Sequence, residues 1–136
     1  MFLDTLTRKG APGERIESGG KPALKMISSI IRPEKLDEIK EGFKQIDLVG
    51  GVTVTNVRGF GRQRGLAEHY MGLPYQARLL DKVKLDIVVT SDDVPDVIGV
   101  ISRLARTGQV GDGKIFVTDV LNAQRIRTGE KGADAL

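Results

Sequence analysis

Three short stretches hold the residues best suited to chemistry. Thr107-Gly108-Gln109-Val110-Gly111-Asp112-Gly113-Lys114 satisfies G-x-x-x-x-G-K when counted from Gly108. Ile115 stands where a magnesium-holding Ser or Thr should be, and the flanking pattern reads helix, loop, strand, the reverse of a P-loop, so a Walker ATPase is disfavoured. The physics of the segment survives the failed motif, because glycines let backbone N–H groups approach phosphate oxygens and Lys114 adds a point charge. A helix C-cap and tight turn would explain one or two of these glycines but not GDGK as a block. Arg125-Ile126-Arg127 sets two guanidinium groups at i and i+2, which project to one side of an extended chain. With Arg62 and Lys114 they offer four cations, enough to neutralise a nucleoside triphosphate, and Arg forks suit phosphate oxygens. The third stretch has Gly59, Gly61 and Gly65 around Arg62 and Gln63, a spacing that does not fit the dinucleotide fingerprint.

The rest of the composition narrows the chemistry. The chain has no cysteine and one histidine, His69, which excludes disulfide frameworks, thiolate zinc sites and multi-histidine metal centres. No carboxylate pair, nucleophile with a base, or metal cluster stands out that would turn nucleotide binding into rapid turnover. A margin of 21 basic over 18 acidic residues, with 4% aromatics, is too mild for a nucleic-acid footprint. No apolar run approaches the ~20 residues of a membrane span.

At 136 residues the chain allows one domain. Residues 1–24 are polar, aperiodic and punctuated by Gly and Pro, and read as a flexible N-terminal extension without signal-peptide character. An alternative places the true start at Met26. From Lys25 onward the periods alternate. Met26–Ile31 reads as a strand, and Pro33 opens a helix whose apolar stripe is Leu36, Ile39, Phe43 and Ile46. Val52–Gly59 and Val83–Val89 read as strands that pair. Ser91-Asp92-Asp93 supplies cap chemistry for a second amphipathic helix ending near Gly108, and Ile115–Val120 is the last strand. This βαββαβ order is the α+β, ferredoxin-like plan, with both helices on one sheet face and a homo-oligomer as the simplest cover for the other. About twenty residues separate the second and third strands, far more than a hairpin needs, and such a loop is usually functional.

The blocks GFGRQRG, TGQVGDGKIFV and RIRTGE, in this order, closely resemble the PII nitrogen-regulatory signal-transduction family over Lys25 to the C-terminus. The resemblance implies a PII-like domain over 25–136 that forms a homotrimer, binds ATP or ADP competitively in clefts between subunits, and binds 2-oxoglutarate with Mg²⁺ and ATP. It also implies a T-loop at about 61–80, a B-loop at about 107–114 and a C-terminal segment at 121–136. Carried over by position, Thr53 and Val88 would flank the adenine. Gly61, Arg62, Gly111, Asp112, Gly113, Lys114, Arg125 and Arg127 would meet the phosphates. Gln63 would help hold Mg²⁺ and 2-oxoglutarate, Lys82 would pair with a 2-oxoglutarate carboxylate with Gly111 nearby, and Tyr75 matches the tyrosine nucleotidylylated in some members. The resemblance further implies a cytoplasmic regulator, not an enzyme. It would act on ammonium transporters or nitrogen-metabolism enzymes and their regulators, reaching a membrane only through such a transporter. Departures from the usual pattern are an extra residue at Gly50-Gly51, an unusual loop interior and Asp81 before Lys82. A divergent nucleotide sensor with another small-anion effector and a slow nucleotide phosphatase are the alternatives.

Overall fold

The computed structural model describes residues 22–47, 49–61, 69–70, 73–74 and 78–136. The N-terminal extension up to residue 21, Arg62, Gln63 and Tyr75 lie outside the described residues. The elements are β1 (Leu24–Ile31), α1 (Leu36–Ile46), β2 (Thr53–Gly59), β3 (His69–Tyr70), β4 (Leu73–Pro74), β5 (Leu80–Thr90), α2 (Val94–Ala105) and β6 (Lys114–Val120). The main sheet is antiparallel in the order β2-β5-β1-β6, while β3 and β4 form a separate short ladder. Discounting that ladder, the order is the expected ferredoxin-like βαββαβ.

Register explains the two faces. Ile27, Ser29 and Ile31 of β1 lie opposite Ile87, Leu85 and Val83 of β5, and all six are buried. They meet Ile39 and Phe43 of α1 and Val97, Val100, Ile101 and Ala105 of α2 in one core. The alternate positions, among them Ile30, Lys82, Lys84, Val88 and Phe116, face away from the helices, as a period of two requires. The α1 stripe reads as expected, with Leu36 and Ile46 at its margins. Gly42 lets the helices close on each other: a Cβ there would lie 2.6 Å from Leu104 Cδ1. Ser29 is the buried exception among these apolar groups, its hydroxyl having no hydrogen-bond partner.

Both helices are entered through a 3₁₀ turn, Pro33–Lys35 and Ser91–Asp93, so the two halves of the chain echo each other. That turn replaces the expected side-chain cap on α2. Asp93, just before the helix, already has φ −91° and ψ −7°, whereas a capping side chain needs extended backbone, and no side chain caps the helix. The helix also stops earlier than expected, because Arg106 turns extended (ψ 130°) ahead of Gly108.

No helix among the described residues is long and apolar enough to cross a membrane.

Candidate functional site

Antiparallel pairing brings the C-terminal ends of β1 and β2 and the N-terminal ends of β5 and β6 to one edge of the sheet. A cleft of about 680 Å³ lies there, with Ile30, Val57 and Phe116 as apolar floor and Gly61, Lys82 and the 109–114 loop around it. The loop is already shaped. Asp112 folds back so that its Oδ2 accepts from the Thr107 and Gly108 N–H groups, both at 2.8 Å, and its Oδ1 from the Thr107 hydroxyl at 2.5 Å. Arg32, just past β1, donates from Nε to Asp112 Oδ1 at 3.1 Å and from Nη2 to the Val110 carbonyl at 2.9 Å. Lys82 Nζ donates to the Gly111 carbonyl at 2.5 Å.

Gly113 is fixed as glycine by two causes. Its φ is +101°, and a Cβ would stand 1.7 Å from the Ile30 carbonyl oxygen. The loop therefore presses directly against β1.

Electrostatics follows from these contacts. The Thr107 hydroxyl first and then the Thr107 N–H hold the Asp112 carboxyl well below the usual carboxylate range, outweighing an opposing effect of burial, with the Gly108 N–H and Arg32 adding smaller contributions. Burial chiefly, and then Arg32, push the Lys82 ammonium below the usual lysine value, partly offset by Glu34 and Asp112. The Lys114 ammonium has no hydrogen-bond or ion-pair partner among the described residues, so its charge is available to a ligand. Asp112 reaches the site as a brace, its carboxylate turned into the loop. The backbone of Gly111–Gly113, with its two left-handed glycines, is the part suited to an anion.

Of the expected site residues, the structure brings together Gly61, Lys82, Gly111, Asp112, Gly113 and Lys114. Thr53 and Val88 stand at the other end of the sheet. Thr53 is six residues from Gly59 along β2 and Val88 six from Lys82 along β5, about 20 Å at ~3.3 Å per residue. Arg125 belongs to that far end too. Its guanidinium donates to Glu130 Oε1 at 2.5 Å and to the Leu136 carbonyl at 2.8 Å, and a Cβ on Gly50 would lie 3.2 Å from Leu136. The Arg125-Ile126-Arg127 segment is not the extended stretch expected from i, i+2 spacing. The Gly129 N–H bonds back to the Arg125 carbonyl and the Arg125 N–H to the Glu130 carbonyl, both at 2.8 Å, folding the segment into a turn. One protomer therefore does not gather the four cations: Lys114 is at one end of the sheet, Arg125 and Arg127 at the other, and Arg62 lies outside the described residues.

Arg32 is the functional side chain that sequence reasoning missed. A lone cation between a strand and Pro33 has no period and no motif to distinguish it from a solvated residue.

A family model, "Nitrogen regulatory protein P-II", matches residues 24–130. The chain belongs to the P-II family. The P-II protein of Bradyrhizobium diazoefficiens is 51% identical over 113 residues, covering 83% of this chain and all of that one. Among solved structures, the Bacillus subtilis GlnK–ATP complex superposes with a TM-score of 0.72 at 31% identity, covering 85% of this chain and 98% of that one. Arabidopsis thaliana PII bound to citrate does so at 0.69 and 37%, covering 85% and 94%. These P-II relatives share the ferredoxin-like sheet and helices described above.

Proposed function

We propose that this P-II chain is a nitrogen- and carbon-status signal transducer that binds ATP or ADP and 2-oxoglutarate and regulates partner proteins through the 61–80 loop. The observation that carries the reading is the braced 107–114 loop, which offers backbone N–H groups and a Lys114 ammonium with no partner among the described residues, beside a 680 Å³ cleft. The B. subtilis relative's ATP complex supports the nucleotide. Lys82 supports the carboxylate effector: it is an ammonium in the same cleft whose present partner is a carbonyl, which a carboxylate outmatches as an acceptor.

Separation of the two groups of site residues supports a site shared between subunits, as in the homotrimer that the family resemblance implies. The end bearing Lys114 and the end bearing Thr53, Val88, Arg125 and Arg127 complete one another when a neighbouring subunit brings its far end to the first one's cleft. Mg²⁺ fits this donor set as an ion held mainly by ligand oxygens, since no cluster of three acidic or imidazole groups exists among the described residues and Gln63 would add one amide oxygen. When bound it would neutralise phosphate charge. The P-II domain, which begins with β1 at Leu24, is the working unit, with the residues before it an appendage, Tyr75 a modification site, the cytoplasm its compartment, and ammonium transporters or nitrogen-assimilation enzymes its partners. The 61–80 loop switches because a ligand touching both of its stems, at Gly61 and Lys82, has different contact energy in its alternative arrangements.

The test is calorimetric titration with 2-oxoglutarate in Mg²⁺ buffer, with ATP or ADP present. Binding only with ATP is expected; binding in neither form rejects 2-oxoglutarate as the effector. Lys114→Ala should weaken ATP binding by about 1.5–3 kcal/mol, the scale of a charge-assisted hydrogen bond, and unchanged affinity would reject the cleft. The citrate-bound Arabidopsis relative favours one second reading, a sensor of a different small polycarboxylate, which the same titration with citrate separates. Turnover above roughly 1 per second would make the protein a phosphatase.

A further inference from the structure

We propose that Arg32 is the positioning residue of the phosphate-binding loop, its guanidinium fork setting the loop's shape by holding the Asp112 carboxylate and the Val110 carbonyl at once. The proposal rests on the nucleotide reading above for what the loop does, and on contacts alone for how the loop is held. Three glycines in the loop, Gly108, Gly111 and Gly113, have positive φ, so the free backbone has much freedom to lose on taking one form. Something rigid must supply that form if the N–H groups are to be aimed before a ligand arrives.

Arg32 sits at the end of central strand β1, the most anchored place near the loop, being ladder-bonded to β5 and β6 up to Ile30 and Ile31. Its Nε reaches Asp112 Oδ1 and its Nη2 reaches the Val110 carbonyl, at 3.1 and 2.9 Å. Asp112 passes the restraint on to the Thr107 and Gly108 N–H groups and the Thr107 hydroxyl. One side chain thus fixes both limbs of the turn, 107–108 through the carboxylate and 110 directly. Lys82 holds a different point of the loop, its Nζ donating to the Gly111 carbonyl and not to Asp112 or Val110. A lysine at position 32 would keep the charge but not the planar fork that meets two acceptors in fixed directions.

The experiment uses the full chain and two variants, Arg32→Gln and Arg32→Lys, with two readouts. The first is amide hydrogen exchange in the nucleotide-free protein, which needs no ligand. Arg32→Gln should speed exchange at Thr107 and Gly108 by about tenfold or more while Ile27 and Leu85 in the core stay protected. The second is ATP titration, where Arg32→Gln should weaken binding about tenfold, the scale of one charged hydrogen bond. Arg32→Lys should fall between wild type and Arg32→Gln in both. Wild-type exchange at Thr107 and Gly108 in Arg32→Gln overturns the proposal. Full recovery of ATP affinity by Arg32→Lys overturns it too, because charge alone would then suffice. If wild type fails to bind ATP while the loop amides still respond to Arg32, the nucleotide reading falls and the positioning role stands.

Discussion

Gly113→Ala tests the claim that the loop lies hard against β1. The residue has φ +101°, and its Cβ would sit 1.7 Å from the Ile30 carbonyl oxygen and 2.8 Å from the Ile30 carbonyl carbon. Carbon and carbonyl oxygen rest at roughly 3.3 Å, so about 1.6 Å must be found. Ile30 cannot give freely, since it is paired with Lys114 in the β1–β6 ladder and with Lys84 in the β1–β5 ladder. Left-handed backbone in a non-glycine residue costs about 1–2 kcal/mol. Opening the ladder end adds about 1–3 kcal/mol, the range of overpacking and of a lost buried hydrogen bond. Gly108→Ala is the reference, because its φ is also positive (+89°) but nothing lies within 4 Å of the added carbon. Urea unfolding of the two variants at one protein concentration should therefore differ by about 1–3 kcal/mol, or about 1 M in midpoint for ordinary m-values. Gly113→Ala should be the less stable. Equal midpoints would refute the reasoning, for then the backbone contact with Ile30 costs nothing.

Asp112 is an acid whose folded-state value is depressed, so its share of stability is present above the unfolded pKa near ~4 and lost as pH falls toward the folded value. Asp112→Asn should flatten the acid limb of thermal stability below about pH 4, and parallel curves would contradict the bracing role. Lys82 is a base held below its usual value, so it loses its proton at lower pH than an ordinary lysine. A carboxylate effector needs the ammonium, so its affinity should fall as pH rises through that lowered value, with protons taken up on binding. Calorimetry across the alkaline range below the ordinary lysine value, in two buffers of different ionisation heat, checks this, and buffer-independent heats throughout would remove Lys82 from the effector site. Ser29→Ala should stabilise the protein by about 1 kcal/mol, because it deletes a buried hydroxyl with no partner; a loss of stability in thermal unfolding would show that the hydroxyl is satisfied.

Much of this was legible because it is local. The α1 stripe, the alternation of Val83, Leu85, Ile87 and Val89, and the glycine block before Lys114 are short-range patterns, and each appears in its expected element. What stayed hidden depends on which strand end lies beside which. Composition joined Arg125 and Arg127 to Lys114 as one cationic set, but antiparallel pairing sends the end of β6 to the edge opposite its start. The segment's extended reading failed for a related reason, since the pull of Glu130 and Leu136 on Arg125 has no signature in a dipeptide spacing. Capping residues ahead of α2 were recognisable by type, yet a 3₁₀ turn served the helix entrance instead. Arg32 needed the register that places it beside Lys82, one step beyond the Ile31–Val83 pair.

The wide separation of Thr53 from Lys114 also has a genetic meaning under the proposed assembly. Each copy would lend one end to the neighbour on its left and the other to the neighbour on its right, so two different inactive alleles can repair each other. Lys114→Ala spoils the near end and Arg125→Ala the far end, and either allele alone leaves no intact junction. Co-expressed equally and mixed at random, they would restore about one junction in four, where a healthy far end meets a healthy near end. A site contained within one subunit would show no such rescue at any ratio.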